Sequence, residues 1–210
     1  MSFERQSIAD FCAALSSSDP TPGGGTASAA AGAVGASLVS MVIALTLSKE
    51  KYRAAEPDLA PIAAEAEAAG KRLRALMQED ADAYDGMVAA RKLPKETDGE
   101  KEARKQAMAA AARRATEVPM ETARVASGIL SRVPLVAEKG NPNAASDAGV
   151  AALLLSAAAG GALLNVGINL TSIDDAAFVG EMEKETARIQ SDVERWSAQV
   201  IALVRKSFKK

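Results

Sequence analysis

The chain has 210 residues, of which 48% are hydrophobic but only 3% aromatic, and it contains one cysteine and no histidine. Without histidine, nucleophilic catalysis of the Ser-His-Asp or Cys-His type is excluded, and so are the usual zinc sites. The 25 basic and 27 acidic residues nearly cancel, so the net charge of −2 gives no reason to expect nucleic acid as a partner. Acid–base chemistry must therefore come from Asp, Glu, Lys, Tyr or Arg.

The chain begins with a short predicted helix, which is capped by Ser7 and Asp10. The residues before it lack the basic-then-apolar pattern of a signal peptide, so we expect a cytoplasmic location. A loop over residues 16–25 ends in Pro22-Gly23-Gly24-Gly25, and a helix follows from about Thr26 to Leu47. Glycines before a helix let an anionic ligand approach the backbone amides; the alternative is a plain loop that permits close helix packing.

The next predicted helix runs from about Pro57 to Arg91 and carries a seam of residues that recur every seven positions. The seam consists of Leu59, Ala66, Leu73, Asp80 and Met87. A carboxylate on an apolar seam needs a partner or a raised pKa, and an acid with a raised pKa is a good proton donor near neutral pH. Asp80 is thus either a catalytic candidate or a structural residue paired with a lysine or a helix N-terminus.

Two long helices are predicted in the second half of the chain, each with its own start signal. Thr97 and Glu100 form a capping box after the polar loop 93–99, and the helix that follows runs to about Val133 with an interruption near Pro119. The segment 172–175 caps the last helix. The seam of that helix is formed by Met182, Ile189, Trp196 and Leu203.

Polar groups cluster before and within the apolar helix that lies between these two. Lys139-Gly140-Asn141-Pro142-Asn143 is rich in turn-forming residues, and Asp147 is the predicted N-cap of the helix. Asn165 and Asn169 lie one turn apart within it. These groups either shape a binding site or form hydrogen bonds between helices.

No segment alternates as a strand does, and we therefore predict an all-α fold. Residues 1–210 form a single domain, a helical bundle of about six helices with long antiparallel helices. Two uncharged spans, 20–48 and 148–173, are long enough to cross a bilayer, but Gly, Ser, Thr and Asn dilute them. We interpret them as central helices and expect no membrane partner, and their excess apolar surface favours a homodimer.

The motifs, taken in order, resemble the formiminotransferase–cyclodeaminase family at its cyclodeaminase-like domain, and they cover nearly the whole chain. They are Pro20–Gly25, Lys49-Glu50-Lys51-Tyr52, Asp80–Tyr84, Leu93-Pro94-Lys95, Lys139–Asn143, Ser146–Val150 and Asn165–Leu170. The sequence is similar to the free-standing bacterial members, and we expect no formiminotransferase domain.

The resemblance implies an all-helical homodimer that acts on a tetrahydrofolate derivative, with no tightly bound cofactor and no metal. Two activities are known in the family: hydrolysis of 5,10-methenyltetrahydrofolate to 10-formyltetrahydrofolate, and release of ammonia from 5-formiminotetrahydrofolate. We expect the cyclohydrolase. The alternatives are the cyclodeaminase and a non-catalytic folate-binding scaffold.

The resemblance also suggests roles for individual residues. Asp80 and Lys51 are the acid–base candidates, although Lys51 can equally be an ordinary solvated lysine. Thr26 stands where serine is common in the family, and Glu50 stands where lysine is frequent. The expected substrate-binding residues are Pro22, Gly23, Gly24, Gly25, Lys49, Lys139, Asn141, Asn143, Asp147, Asn165 and Asn169.

Overall fold

The computed structural model describes residues 3–208, which contain seven α-helices and no strand. The helices are α1 (Ile8–Leu15), α2 (Gly24–Leu47), α3 (Glu56–Arg91), α4 (Asp98–Leu130), α5 (Val133–Lys139), α6 (Ala145–Leu170) and α7 (Ala176–Ser207). Short 3-10 turns lie at Phe3–Arg5, Glu50–Ala55 and Pro142–Ala144. The predicted all-α bundle with long helices is confirmed.

Helices α2, α3, α4 and α6 form a four-helix bundle in which α2 and α4 each pack on both α3 and α6. Neighbouring helices are antiparallel: Gly25 at the start of α2 lies beside Asp80 of α3, whereas Gly32, further along α2, lies beside Leu73. Helix α7 packs outside the bundle on α6 and α4. One end of the bundle is therefore formed by the start of α2 and the last turns of α3 and α6.

The predicted seams face the interior of the bundle. Leu59 and Leu73 of α3 are fully buried, and Ile189 of α7 is 1% exposed. Asp80 occupies the next seam position after Leu73, so its side chain lies at the edge of the same core. The seven-residue repeat predicted these buried positions because seven residues make almost two turns of an α-helix, so every seventh residue lies on the same side.

Small side chains set the distance between α2 and α6. A Cβ atom on Gly35 would lie 2.9 Å from Cγ of Leu155 and 3.2 Å from the carbonyl oxygen of Ala151. One on Gly32 would lie 3.2 Å from Cβ of Ala158. The two backbones therefore approach closely, which explains how a core with few aromatic residues is filled.

Three predicted helix starts are confirmed. Ser7 accepts a hydrogen bond from the Asp10 backbone amide, and Thr97 forms the full capping box with Glu100. Asp175 accepts from two amides in the first turn of α7. In each case a side-chain oxygen satisfies amide groups that have no partner within the helix.

The predicted N-cap at Asp147 is wrong. Helix α6 begins at Ala145, so Asp147 lies within its first turn. The side chain of Asn141 instead accepts from the Asn143 amide and starts a 3-10 turn that leads directly into α6. A carboxylate in the first turn still interacts favourably with the helix dipole.

The long helix after Thr97 also differs from the prediction. Helix α4 continues across Pro119 without interruption and ends at Leu130. The residues beyond Ser131 form a separate helix, α5. The chain reverses near this point to reach α6, and a short α5 spans the end of the bundle.

The outward sides of α2 and α6 form one surface, here called the charge-free face. By length and composition, the helical segments Gly24–Leu47 and Pro142–Leu170 could span a membrane, but 44% of each apolar window is buried within the bundle. The exposed large side chains of the face are Val34, Met41, Leu45, Val150, Leu153, Leu164 and Ile168. Their spacing of three, four, seven or eleven residues places them along a single side of each helix.

We predict that Gly35→Ala lowers the free energy of unfolding by about 1–2 kcal/mol, because overpacking at the α2–α6 contact outweighs the gain in helix propensity. Gly180→Ala in α7 is the matched control, since a Cβ there meets no atom within 4 Å. The control should be neutral or stabilising. Urea denaturation followed by circular dichroism measures both, and equal stability of the two variants would contradict the close-packing argument.

Candidate active site

A cavity of about 480 Å³ lies at the end of the bundle where α2 begins. It opens between the glycine-rich N-terminus of α2 and side chains from α3, α4 and α6. Its volume is in the range of pockets that hold small organic ligands. It is lined by Pro20, Thr21, Gly23, Gly24, Gly25, Asp80, Ala83, Tyr84, Met87, Arg91, Ala115, Asn165, Ile168, Asn169, Thr171 and Ser172.

The carboxyl group of Asp80 rests on the first turn of α2. Thr26, which is fully buried, donates its hydroxyl hydrogen to Oδ2 of Asp80 over 2.8 Å. A side chain on Gly25 would collide with the Asp80 carboxyl, since its Cβ would lie 2.7 Å from Cγ. The predicted glycine motif and the predicted seam carboxylate therefore meet at one point.

Burial raises the pKa of the Asp80 carboxyl above its ordinary value. Hydrogen bonds from the hydroxyl and the backbone amide of Thr26 oppose the shift, and desolvation is the larger of these effects. A carboxyl in this environment exchanges a proton closer to neutral pH than an exposed one. The group is thus suited to general acid–base catalysis.

Asn165 and Asn169 of α6, both among the predicted substrate-binding residues, line the cavity. The amide nitrogen of Asn165 donates to the carbonyl oxygen of Gly161 over 2.9 Å, and that of Asn169 donates to Ala115 of α4 over 2.6 Å. Each amide nitrogen uses one of its two hydrogens in these bonds, so the second N–H and the carbonyl oxygen of each side chain are left for a ligand.

Among the cavity residues that were not predicted as site residues, three large side chains come from one face of α3. Tyr84, Met87 and Arg91 follow Asp80 at intervals of four, seven and eleven residues, so all four share one face of α3. The signal was present in the sequence, because Met87 lies on the same seam as Asp80. Continuing that face by one turn would have reached Arg91.

Apart from Pro22, the other predicted site residues lie at the opposite end of the bundle. Lys49 and Lys51 follow the C-terminal end of α2, whose 24 residues span about 36 Å. Lys51 lies in the turn just before α3 begins, and the part of α3 between this turn and Asp80 is about as long as α2. Asn143 and Asp147 belong to the turn and helix start at this end, and one chain does not bring these residues into the cavity.

Asn141 connects several segments at this second end. It is 5% exposed, and its backbone amide donates to the Thr46 hydroxyl over 2.8 Å. Its side-chain oxygen accepts from the Asn143 amide at 3.1 Å and from the Tyr52 hydroxyl at 3.4 Å. Asn141 thus joins the end of α2 to the two neighbouring turns.

The remaining predicted residues have simple environments. Lys139 forms an ion pair with Asp58, and the ammonium of Lys51 lies 4.7 Å from the centre of the Tyr52 ring. Lys49 is exposed, whereas Pro22 is buried in the loop that leads to the cavity. Within residues 3–208, no group of three or more His, Cys, Asp or Glu side chains could hold a metal ion.

Comparison with known proteins identifies similar sequences and a similar structure. Residues 7–188 match the family model described as formiminotransferase-cyclodeaminase. The chain is 44% identical to a methenyltetrahydrofolate cyclohydrolase of Methylorubrum extorquens, and the alignment covers 86% of both chains. It is 33% identical to a formimidoyltransferase-cyclodeaminase of Gallus gallus, over 93% of this chain but 36% of the relative.

The solved structure of formiminotetrahydrofolate cyclodeaminase from Thermotoga maritima has the same fold. The TM-score is 0.87 at 31% sequence identity, over 97% of this chain and 98% of the other. Both chains are thus matched over nearly their full length.

We predict that replacing Asp80 changes how stability depends on pH. Because the pKa of Asp80 is raised in the folded state, the native protein holds the carboxyl proton more tightly than the unfolded chain does. In the unfolded chain this carboxyl titrates at about pH 4. The contribution is fully present below that pH and is lost as the pH rises through the folded pKa. Asp80→Asn should therefore gain stability relative to the wild type as the pH rises.

Urea denaturation at a series of pH values measures this difference. Asp82→Asn is the control, because Asp82 is exposed and lies only two residues from Asp80 on α3. This variant should keep the wild-type dependence of stability on pH. Parallel profiles for the wild type and Asp80→Asn would show that burial does not perturb the Asp80 carboxyl.

Proposed function

The chain belongs to the formiminotransferase-cyclodeaminase family, and we propose that it is a methenyltetrahydrofolate cyclohydrolase. It would hydrolyse 5,10-methenyltetrahydrofolate to 10-formyltetrahydrofolate. The observation that carries the proposal is the Asp80 carboxyl, held at the cavity by Thr26 and Gly25. The near-full-length relative of that name supports the choice of reaction.

The substrate carries a positive charge over its methenyl carbon and the two folate nitrogens that flank it. An ionised Asp80 stabilises that charge, and the partly buried position strengthens the interaction because little water screens it. Asn165 and Asn169 line the cavity, and their amide oxygens would accept hydrogen bonds from the N–H groups of the ring system.

In the proposed reaction, water attacks the methenyl carbon and Asp80 takes one proton from it as the C–O bond forms. The tetrahedral product then collapses: the bond from carbon to N5 breaks, its electron pair stays on N5, and a C=O bond forms. The hydroxyl proton is transferred to N5, and the proton held by Asp80 is released to solvent. Charge balances, since the substrate is a cation and the product is neutral.

The second candidate is formiminotetrahydrofolate cyclodeaminase. The structural likeness to the Thermotoga maritima protein of that name favours it, and the reaction uses the same carbon between the same two nitrogens. The cyclohydrolase is preferred because the identity to the relative of that name is 44%, against 31% to the cyclodeaminase structure.

We also propose that the protein is a homodimer. A surface of large apolar side chains, such as the charge-free face, is typical of an interface between subunits. Light scattering at micromolar concentration tests the proposal, and a stable monomer would contradict it.

We predict that kcat/KM is higher for 5,10-methenyltetrahydrofolate than for 5-formiminotetrahydrofolate. The absorbance of the methenyl compound falls in the first reaction and rises in the second, so one wavelength follows both. A clear preference for the formimino compound would reverse the assignment. Binding of both compounds without turnover would favour a folate-binding scaffold.

We predict that Asp80→Asn lowers turnover by roughly 10²–10⁴-fold, the range for loss of a general acid–base group. The amide has a similar size and still accepts a hydrogen bond from Thr26, so the variant should fold and its melting temperature should not fall below that of the wild type at neutral pH. Asp82→Asn is the control and should retain full turnover, because Asp82 is exposed and is not part of the cavity. Full turnover in Asp80→Asn would make Asp80 a structural residue.

A further inference from the structure

Helix α4 carries a proline in its interior. Pro119 is buried, and the helix continues across it to Leu130. In an α-helix the carbonyl oxygen of each residue accepts a hydrogen bond from the backbone N–H four positions later. Proline has no N–H, so the carbonyl of Ala115, four positions before Pro119, lacks this partner. A backbone carbonyl that is shielded from water then needs a donor from elsewhere.

This carbonyl lies in the wall of the cavity, and Asn169 supplies the donor. Ala115 and Asn169 both line the cavity. The side-chain nitrogen of Asn169, on α6, donates to the carbonyl oxygen of Ala115 over 2.6 Å. Asn165, one turn earlier, differs because its nitrogen donates to Gly161 within α6 itself. The hydrogen bond that crosses between the helices is therefore made where α4 offers an acceptor without its regular partner.

The bond to Ala115 fixes which way the Asn169 amide faces. The oxygen and the nitrogen of a side-chain amide have nearly the same size, so packing alone distinguishes poorly between its two orientations. A carbonyl oxygen accepts hydrogen bonds but cannot donate one. Opposite Ala115, the amide must therefore present its nitrogen, and its own oxygen points in another direction. The pattern of donor and acceptor that a ligand meets at Asn169 is thus set from a different helix.

We propose that Pro119 is a positioning residue for substrate binding. It leaves the Ala115 carbonyl without a partner in α4, and this carbonyl holds the Asn169 amide with its oxygen free to accept from the N–H groups of the folate ring system. Pro119 does not line the cavity, so it acts only through Ala115 and Asn169. The inference rests on the proposed function for its kinetic readout, whereas the orientation of the amide is measured without substrate.

The first test is the NMR spectrum of the free wild-type protein. A side-chain N–H that donates to a carbonyl resonates downfield of one that is exposed to water. The two Nδ2 protons of Asn169 are assigned by their absence from the spectrum of Asn169→Ala. One of them should lie downfield of the protons of exposed asparagines. If both have the shifts of exposed asparagines, the proposal is overturned without any further variant.

The second test separates the missing N–H from the shape of the proline ring. Pro119→Ala restores a backbone N–H, which would donate to the Ala115 carbonyl as in a regular helix. Lactic acid in place of Pro119 has the methyl group of alanine, but it has an ester oxygen where alanine has the N–H. The downfield proton of Asn169 should move upfield in Pro119→Ala and keep its position in the lactic acid variant.

Each other result of this pair overturns the proposal. An upfield movement in both variants would show that the ring, and not the missing N–H, orients the amide. No movement in either would show that Ala115 holds Asn169 regardless of Pro119. If Pro119→Ala does not fold, the lactic acid variant decides alone: a retained downfield proton supports the proposal, and its loss contradicts it.

The third test measures the kinetics with 5,10-methenyltetrahydrofolate. Pro119→Ala should raise KM by roughly 3–10-fold, the range for one neutral hydrogen bond, and leave kcat nearly unchanged because Asp80 is intact. In an Asn169→Ala background the same substitution should raise KM no further, since the residue through which Pro119 acts is already absent. A further rise in KM there, or an unchanged KM in Pro119→Ala alone, would contradict the proposal.

Pro61→Ala is the matched control. Pro61 also lies within a helix, but it is exposed and precedes Asp80 on α3 by nineteen residues, or about 29 Å. This variant should keep the wild-type KM and the wild-type Asn169 resonances, and effects equal to those of Pro119→Ala would overturn the proposal. Wild-type protein that turns over neither folate would defeat the proposed function, and the two NMR tests would still decide the role of Pro119.

Discussion

The contact between Asp80 and the first turn of α2 is the constraint on which the site depends. A partly buried carboxyl needs hydrogen-bond donors, and Thr26 and the helix N-terminus supply them. The contact requires glycine at position 25, and it requires α2 and α3 to run antiparallel so that the start of one lies beside the last turns of the other. Burial at this contact raises the pKa of the Asp80 carboxyl, although the hydrogen bonds from Thr26 oppose the shift, and this burial links the packing of the bundle to acid–base chemistry.

The abundance of small residues has two consequences in this fold. Inside the bundle, Gly32 and Gly35 let α2 approach α6 closely, which fills a core that has almost no aromatic side chains. On their outer sides, the same two helices carry small or apolar residues where a surface helix usually has charged ones, so the surface that they form has no charge. Helices α2 and α6 therefore combine a tightly packed inner side with an apolar outer side.

Much of this fold could be predicted from the sequence, because helix periodicity and capping are local properties. The heptad seam placed Leu59 and Leu73 in the core and brought Asp80 to its edge, and Thr97 and Asp175 began their helices as expected. The start of α6 was predicted incorrectly, since Asn141 and Asp147 both offer a cap and only the surrounding turn decides between them.

The sequence by itself determined the helices, their buried sides and the side-chain types that could carry out acid–base chemistry. It also indicated the family, because the motifs keep their order along the chain. Only the tertiary structure decided which motifs share a cavity. Asp80, Gly25 and Asn165 come together through antiparallel packing, whereas Lys51, only a few residues beyond α2, is carried to the far end by a rigid helix. Helical patterns specify which side of a helix is buried, but the pairing of helix ends in space depends on contacts between residues far apart in sequence.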